Sequence, residues 1–582
     1  MNQAATPLDP RQRRELWWFL AIAFVVLAAG IGLRQPWPSD EPRFVLVAKQ
    51  MWESGDWWFP HRGAELYPDK PPLYFWLLGA AYGVVRNWTW AFLLPSLAAA
   101  MATLAMTWDL GRRLWSHRAG LWAATAVLCA VQFLYQSKRA QIDPTVVAFI
   151  TLGMYGLLRH TLLGPAWRWY WLGCFAAGLG VISKGVGFLA LLVLLPYAAM
   201  RWRRWRQLPD LGGGNAWRWT LGAFAFLAAI GAWLVPMVLM ALNDGDAQHR
   251  AYLDEILFKQ TAGRYASGTI HPNPPWYFLG VIAAFWMPFS LALPWLAPRW
   301  RDAWRERAAK IWLPLAWSLL VLLFFSIARG KRDMYILPML PMVALAAAPY
   351  LPAIMAKRGF RAWLFALVAA LAALLLVAGA SALLGEPGFE TRIEGERGLA
   401  PAADGLWWLL AATGAAMLAA LAFARRHFLA SVASALGLMV VLLFCGAAVL
   451  LDDASSARGL MREARAQAGP QAEIGLVGWR EQNLLQAIGP TAEFGFRQPW
   501  DEQLRRGAAW TAQAPRSRVL LVNDAVMLPC VDRAASLRLG NANRRGWWLV
   551  PAGAVKACIA AVPSSVPPAA SAIPMDGGND DE

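Results

Sequence analysis

Residues 39–76 read SDEPRFVLVAKQMWESGDWWFPHRGAELYPDKPPLYFW. The stretch follows a long apolar run and sets Asp40, Glu41, Arg43, Asp69 and Lys70 around a Trp-rich turn. Ionisable groups at a membrane surface are costly unless they pair, face water or do chemistry. Five of them directly after an apolar helix indicate a membrane-embedded helical bundle whose mouth handles something charged.

Composition outside this stretch agrees. Of 582 residues, 58% are hydrophobic and 16% charged, far from the roughly one-quarter charged content of soluble domains. The chain reads as an α-helical polytopic membrane protein with room for a small soluble domain. A net charge of +17 suggests nucleic acid at first sight. That class is excluded because Lys and Arg sit in short clusters between apolar runs, the pattern of cytoplasmic loops, and the 35 Trp residues suit membrane interfaces. The run Leu16–Leu33 is too long for a signal-peptide core and has no small-residue cleavage site, so it reads as a first spanning helix behind a cytoplasmic N-terminus, 1–15.

At about 20 apolar residues per crossing, thirteen spans are expected: 16–34, 89–111, 118–136, 142–162, 168–183, 185–200, 217–241, 275–297, 311–328, 333–352, 360–384, 406–424 and 428–451. The run 71–85 is read as non-crossing, since counting it would put the basic clusters at Arg112–Arg118 and beyond outside. The bundle then covers 16–452. The segments 35–70, 136–143, 242–274 and 329–333 share the outer, periplasmic face. From 453 the texture changes to short strand-like runs, EIGLVGW, AEFGF, RVLLVND and GWWLVPA, alternating with helical stretches. A small periplasmic α/β domain over 453–562 is expected, followed by a disordered Pro-, Ser- and Gly-rich tail, 563–582. Cys129, Cys174 and Cys445 read as apolar packing residues. Cys530 and Cys558 lie in the outer domain, where an oxidising compartment permits a disulfide; two free thiols are the alternative.

The outer segments hold the candidate chemistry. Asp40 follows Pro38 and precedes a helix, so it is either an N-cap or a base or metal ligand near a reacting group, with Glu41 in the first turn. Asp143, in IDPT, carries the same pair of readings. Lys70, before Pro71 and Pro72, either snorkels or, with Arg43, meets a phosphate. Lys184, in SKG between two apolar helices, is hard to explain as packing. His271 ends the outer loop beside Pro272. Arg329, Lys331 and Arg332 stand outside with Tyr335, three basic residues against the charge rule, and an anionic ligand accounts for them. This set suits transfer chemistry on a phosphate-linked lipid. A lipid-linked-substrate flippase would predict inverted repeats, and the sequence shows none. A recruiting scaffold leaves Asp40, Lys70 and Asp143 without a purpose.

DEPRF, ESGDWWFP, DKPPLYFW, IDPT, SKG and KRDMYILPMLP, in this order within residues 16–352, resemble the lipid-dependent GT-C glycosyltransferases of the ArnT and protein O-mannosyltransferase superfamily. The resemblance implies a polyprenyl-phosphate sugar donor, a lipid or glycan acceptor at the outer leaflet of the bacterial inner membrane, and inversion at the anomeric carbon. Lipid A, another cell-envelope glycan or a protein could be that acceptor. The resemblance makes Asp40 and Asp143 the catalytic acids. Arg43, Lys70, Lys184 and Lys331 become donor-phosphate ligands, and Glu41, His271, Arg332 and Tyr335 substrate contacts. Asp69 stands where the family has a Glu linked to a metal site, so a divalent metal is an expected cofactor and no nucleotide is. The later motif departs from the family's Lys-Leu-Pro-His-Tyr: here Lys331-Arg332-Asp333-Met334-Tyr335 lacks the His, which leaves donor and acceptor identity open.

Overall fold

The computed structural model describes residues 7–206, 208–257, 273–385, 388–397 and 403–561. They form two compact units, one of Met1–Ala28, Pro68–Ala81 and Leu93–Leu367, the other of Ala29–Tyr67, Tyr82–Phe92 and Val368–Glu582. Seven described helices are long and apolar enough to cross a membrane: Trp88–Leu114, Ile142–Leu163, Ala216–Asn243, Ala309–Ile327, Arg358–Leu384, Asp404–Ala422 and Arg426–Ser456. Two further pairs qualify only if joined across a bend, His117–Cys129 with Val131–Ser137 at 70° and Tyr277–Phe285 with Phe289–Arg305 at 102°, which gives up to nine spans.

Seven to nine of the thirteen expected spans thus have the length and hydropathy of a single crossing helix among the described residues, and the other runs depart from that form for local reasons. The run 16–34 forms the helix Pro10–Ala28; Gly30 and Gly32, at φ +89° and +80°, take the chain out of it. The run 185–200 opens as the 3-10 turn Gly187–Val193 before the helix Leu194–Trp202. The run 333–352 breaks into Asp333–Ile336, Met339–Ala347 and Leu351–Met355. The helix Trp167–Lys184 carries Arg168, Lys184 and a cluster of aromatic residues, too polar for the hydropathy of a span. Leu73–Val85, with 13 residues, is only about 20 Å long, short of a hydrocarbon core of about 30 Å.

In the first unit, Ile142–Leu163 and Trp167–Lys184 form an antiparallel hairpin joined by Gly164–Ala166. Small residues let the backbones touch, as in membrane helix pairs generally. A Cβ on Gly156 would strike the Trp169 carbonyl and lie 3.0 Å from the Gly173 Cα. This pairing brings the first turn of one helix, with Asp143, beside the last turn of the other, with Lys184.

In the second unit, β1 (His61–Arg62) pairs with β2 (Glu65–Leu66) as a small hairpin. A five-stranded mixed sheet is built from β3 (Glu473–Val477), β4 (Thr491–Glu493), β5 (Arg518–Asn523), β6 (Leu537–Ala542) and β7 (Arg545–Pro551), in the order β4-β3-β5-β7-β6. Strand β3 runs parallel to β4 and β5, and β7 runs antiparallel to β5 and β6. The helix Trp500–Gln513 covers the sheet with Leu504 and Ala508, against Val477, Leu520, Val522 and Val550. The β6–β7 turn holds Asn543 and Arg544 at φ +53° and +60°, the left-handed pair a tight hairpin requires. Cys530 and Cys558 are disulfide-bonded, so the external-thiol alternative is removed.

Candidate active site

The acids and cations singled out in the sequence divide between the two units, and each set has its own geometry. In the first unit, Asp143 does not cap a helix. The helix starts at Ile142, with Gln141 at the cap position, and Asp143 in its first turn receives Lys184. The Lys184 ammonium donates to both carboxylate oxygens, at 2.6 and 2.7 Å. An acid at a helix start and a lysine at a helix end each suit the local dipole, so the pair is favoured twice. The Tyr335 ring lies 5.5 Å from the Lys184 nitrogen and leans on Phe325 at 5.2 Å.

Tyr335 is placed by two bent helices. Each bend frees backbone groups that must find partners, and they partly find each other: the Val131 N–H donates to the Met287 carbonyl at 3.0 Å. Beside them Gln132, 1% exposed, accepts from the Trp286 indole at 2.8 Å and donates to the Asp333 carbonyl at 2.6 Å. Gln132 thus fixes the turn that carries Tyr335.

Lys331 is buried, and its ammonium donates to the Asn273 and Ala328 carbonyls at 2.8 and 2.5 Å. Asn273 answers with its amide on the Lys331 carbonyl at 3.2 Å. Two of the three Lys331 donors thus tie its turn to itself and to Asn273. Asp69 and Lys70 are half-buried just ahead of Leu73–Val85, and Arg332 is half-buried beside Lys331. His271 lies outside the described residues.

In the second unit, Asp40 sits at the cap position of the helix Glu41–Ser54, yet its side chain makes no cap hydrogen bond. It pairs instead with Arg43, one turn on, so the N-cap reading of Asp40 fails. Glu41, expected to contact substrate, is 1% exposed and fully engaged. It takes Arg34 in a forked pair at 2.5 and 2.8 Å and the Trp37 N–H at 2.8 Å. A carboxylate this buried and this satisfied holds structure rather than ligand. Glu41→Ala is expected to cost about 3–5 kcal/mol, the penalty for leaving one buried partner uncompensated, with thermal unfolding in detergent shifted down by several degrees; an unshifted midpoint contradicts the structural role.

Among the described residues, no three His, Cys, Asp or Glu side chains gather into a metal-holding group. No step below is routed through a metal. Sequence reasoning passed over Arg34, Gln132 and Asp452. Arg34 was read as the end of a span, Gln132 as the interior of one, and Asp452 as the edge of another. Each is a polar residue inside or bounding an apolar run, and that was the available signal.

Residues 69–235 match the family described as dolichyl-phosphate-mannose-protein mannosyltransferase. The chain is 32% identical over 351 residues to an undecaprenyl phosphate-α-4-amino-4-deoxy-L-arabinose arabinosyl transferase of Pseudomonas aeruginosa, covering 56% of this chain and 58% of the relative. A relative of the same name in Edwardsiella ictaluri is 27% identical over 443 residues, covering 73% of this chain and 76% of that one. The chain thus spans 58% of the length of the Pseudomonas relative. The crystal structure of ArnT from Cupriavidus metallidurans bound to undecaprenyl phosphate superposes with a TM-score of 0.69 at 19% identity, over 92% of this chain and 98% of that one. The chain is thus similar in sequence to these arabinosyl transferases and shares the fold of the Cupriavidus structure.

Proposed function

We propose that this multi-pass membrane protein transfers a sugar from a polyprenyl-phosphate donor to an acceptor at the periplasmic face of the bacterial inner membrane. The sugar is 4-amino-4-deoxy-L-arabinose or a close relative, and the acceptor is lipid A or another cell-envelope glycan. The observation that carries the reading is the identity of 27–32% to relatives named for that arabinosyl transfer. The proposed topology has thirteen crossings, a cytoplasmic N-terminus and a periplasmic α/β domain over 453–562.

The chemistry asks little of the protein beyond charge placement. The acceptor oxygen bonds to the anomeric carbon from the face opposite the phosphate, with inversion. The bond from that carbon to the phosphate oxygen breaks, and the electron pair leaves on polyprenyl phosphate, a stable anion. Fixed cations lower the barrier by meeting that charge as it develops. We assign this role to Lys70, and to Lys184 through the donor it does not spend on Asp143. Asp40 takes the proton of a hydroxyl acceptor. A phosphate acceptor needs no strong base, and Asp40 then orients it, with Arg43 as counter-ion. A divalent ion at Asp69 stays a proposal, read by transfer after chelation and after adding back magnesium or manganese.

The test is transfer in proteoliposomes with a panel of polyprenyl-phosphate sugars and an outer-membrane lipid extract. Lipid-linked sugar moving across the bilayer without transfer would support the flippase reading instead. Lys70→Ala is expected to raise the donor KM about tenfold or more, the effect of losing a charge-assisted contact of roughly 1.5–3 kcal/mol, and to leave acceptor dependence unchanged. An unaltered donor KM removes Lys70 from the phosphate site. The family description over residues 69–235 favours one second reading, a protein hydroxyl as acceptor, and adding a peptide acceptor to the panel decides it.

A further inference from the structure

We infer that Asp452 is a positioning residue for Asp40, an inference that rests on the transferase reading above. Arg43 ties the Asp40 carboxylate to its own helix, and that pair does not reach back to the segment leading into the helix. The six residues before Asp40 are held instead by a clasp. Arg34 and Glu41, seven residues apart, close the segment on itself through their forked pair. Asp452, near the end of the helix Ala424–Ser456, then anchors the closed segment. One Asp452 oxygen accepts both the Gln35 N–H at 2.7 Å and the Trp37 indole N–H at 3.1 Å.

The groups around this anchor have further partners. The Trp37 N–H goes to Glu41 at 2.8 Å. The Gln35 side chain donates to the Thr89 hydroxyl at 2.8 Å and accepts from the Gln486 amide at 3.3 Å. The Arg34 guanidinium lies 4.8 Å from the Trp37 ring and 5.1 Å from Phe92. The second Asp452 oxygen has Arg458 at 3.9 Å. Asp452 is 7% exposed, so little water can replace what it supplies. The far end of the same loop is also tied down. The Arg62 guanidinium pairs with Glu481 at 3.5 Å and lies 3.8 Å from the Phe496 ring, and Glu65 accepts the Arg497 N–H at 3.0 Å. The loop carrying the acid is therefore pinned to the C-terminal part of the chain at both ends. Reacting groups must be held closely, because a displacement of about 1 Å costs on the order of 10²-fold in rate.

The test compares Asp452→Ala, Asp452→Asn and Trp37→Phe in the full chain. Asp452→Ala is expected to lower kcat by about 10- to 10²-fold, with donor KM within about twofold. Asp452→Asn should restore most of the rate, because its amide oxygen accepts the same two N–H groups. Trp37→Phe should lose part of the rate, and the Trp37→Phe, Asp452→Ala double variant should be no worse than Asp452→Ala. Hydrogen–deuterium exchange, which needs no activity, should speed up over residues 35–41 in Asp452→Ala. Unchanged exchange there, wild-type kcat in both Asp452→Ala and Trp37→Phe, or an Asp452→Asn as impaired as Asp452→Ala would overturn the inference. If the wild type moves no sugar, the transferase reading fails, and the exchange experiment still decides whether Asp452 holds the loop.

Discussion

Asp40→Asn should leave a folded protein whose sugar transfer to a hydroxyl acceptor is lower by at least about 10²-fold, the lower bound for losing a positioned general base. The substitution keeps the shape and removes the charge. The helix Glu41–Ser54 should survive it: the Asp40 side chain does not cap that helix, and the Asp40 backbone carbonyl still receives the Phe44 N–H at 3.1 Å. Arg43 loses the Asp40 carboxylate and keeps its charge for an anionic donor, so the donor should bind as well as before or better while turnover collapses. That split, with kcat down and donor KM flat or lower, separates a chemical role from a folding defect. Turnover at the wild-type level, measured beside an unshifted melting curve, would remove Asp40 from the chemistry. A loss seen with hydroxyl acceptors and absent with phosphate acceptors would assign it specifically to proton transfer.

Breaking the pair of Asp143 and Lys184 is expected to have the second-largest effect. Their side chains are only 13% and 18% exposed, and both carboxylate oxygens are used. Asp143→Asn leaves Lys184 charged with one weaker acceptor, and Lys184→Met leaves the carboxylate without its cation. Either change should cut kcat by about 10²–10³-fold, comparable to removing one preorganised donor from a developing charge, and should lower thermal stability as well. The double variant is the informative one. Residues acting as a unit are non-additive, with coupling of about 0.5–3 kcal/mol, so the double variant should be no more impaired than the worse single one. Losses that multiply would show that the two residues act separately and that their contact is incidental to turnover.

Much of this was legible from the residues. Asp40, Asp143 and Lys184 stood out because a charge beside an apolar run demands a reason, and each was found in an ion pair. The strands β3, β5 and β7 fall on EIGLVGW, RVLLVND and GWWLVPA, where β-branched and aromatic residues cluster between turn residues. The span count was less legible. Hydropathy measures how apolar a run is and is blind to a bend inside it, so His117–Ser137 and Tyr277–Arg305 looked straight and are bent by 70° and 102°.

Partnership was the least legible property. The sequence by itself determined that the chain is a membrane protein and where charges gather along it, because the cost of burying charge is a property of each residue and its near neighbours. Which charge meets which partner was decided only by the tertiary structure. Glu41 and Asp40 are adjacent and chemically alike, yet Glu41 is committed to Arg34 and Trp37 while Asp40 has Arg43. Asp452 reaches Gln35 and Trp37 across 417 and 415 residues. A hydrogen bond depends on the distance and angle between two groups in space, and no local pattern in the chain encodes a separation of that size.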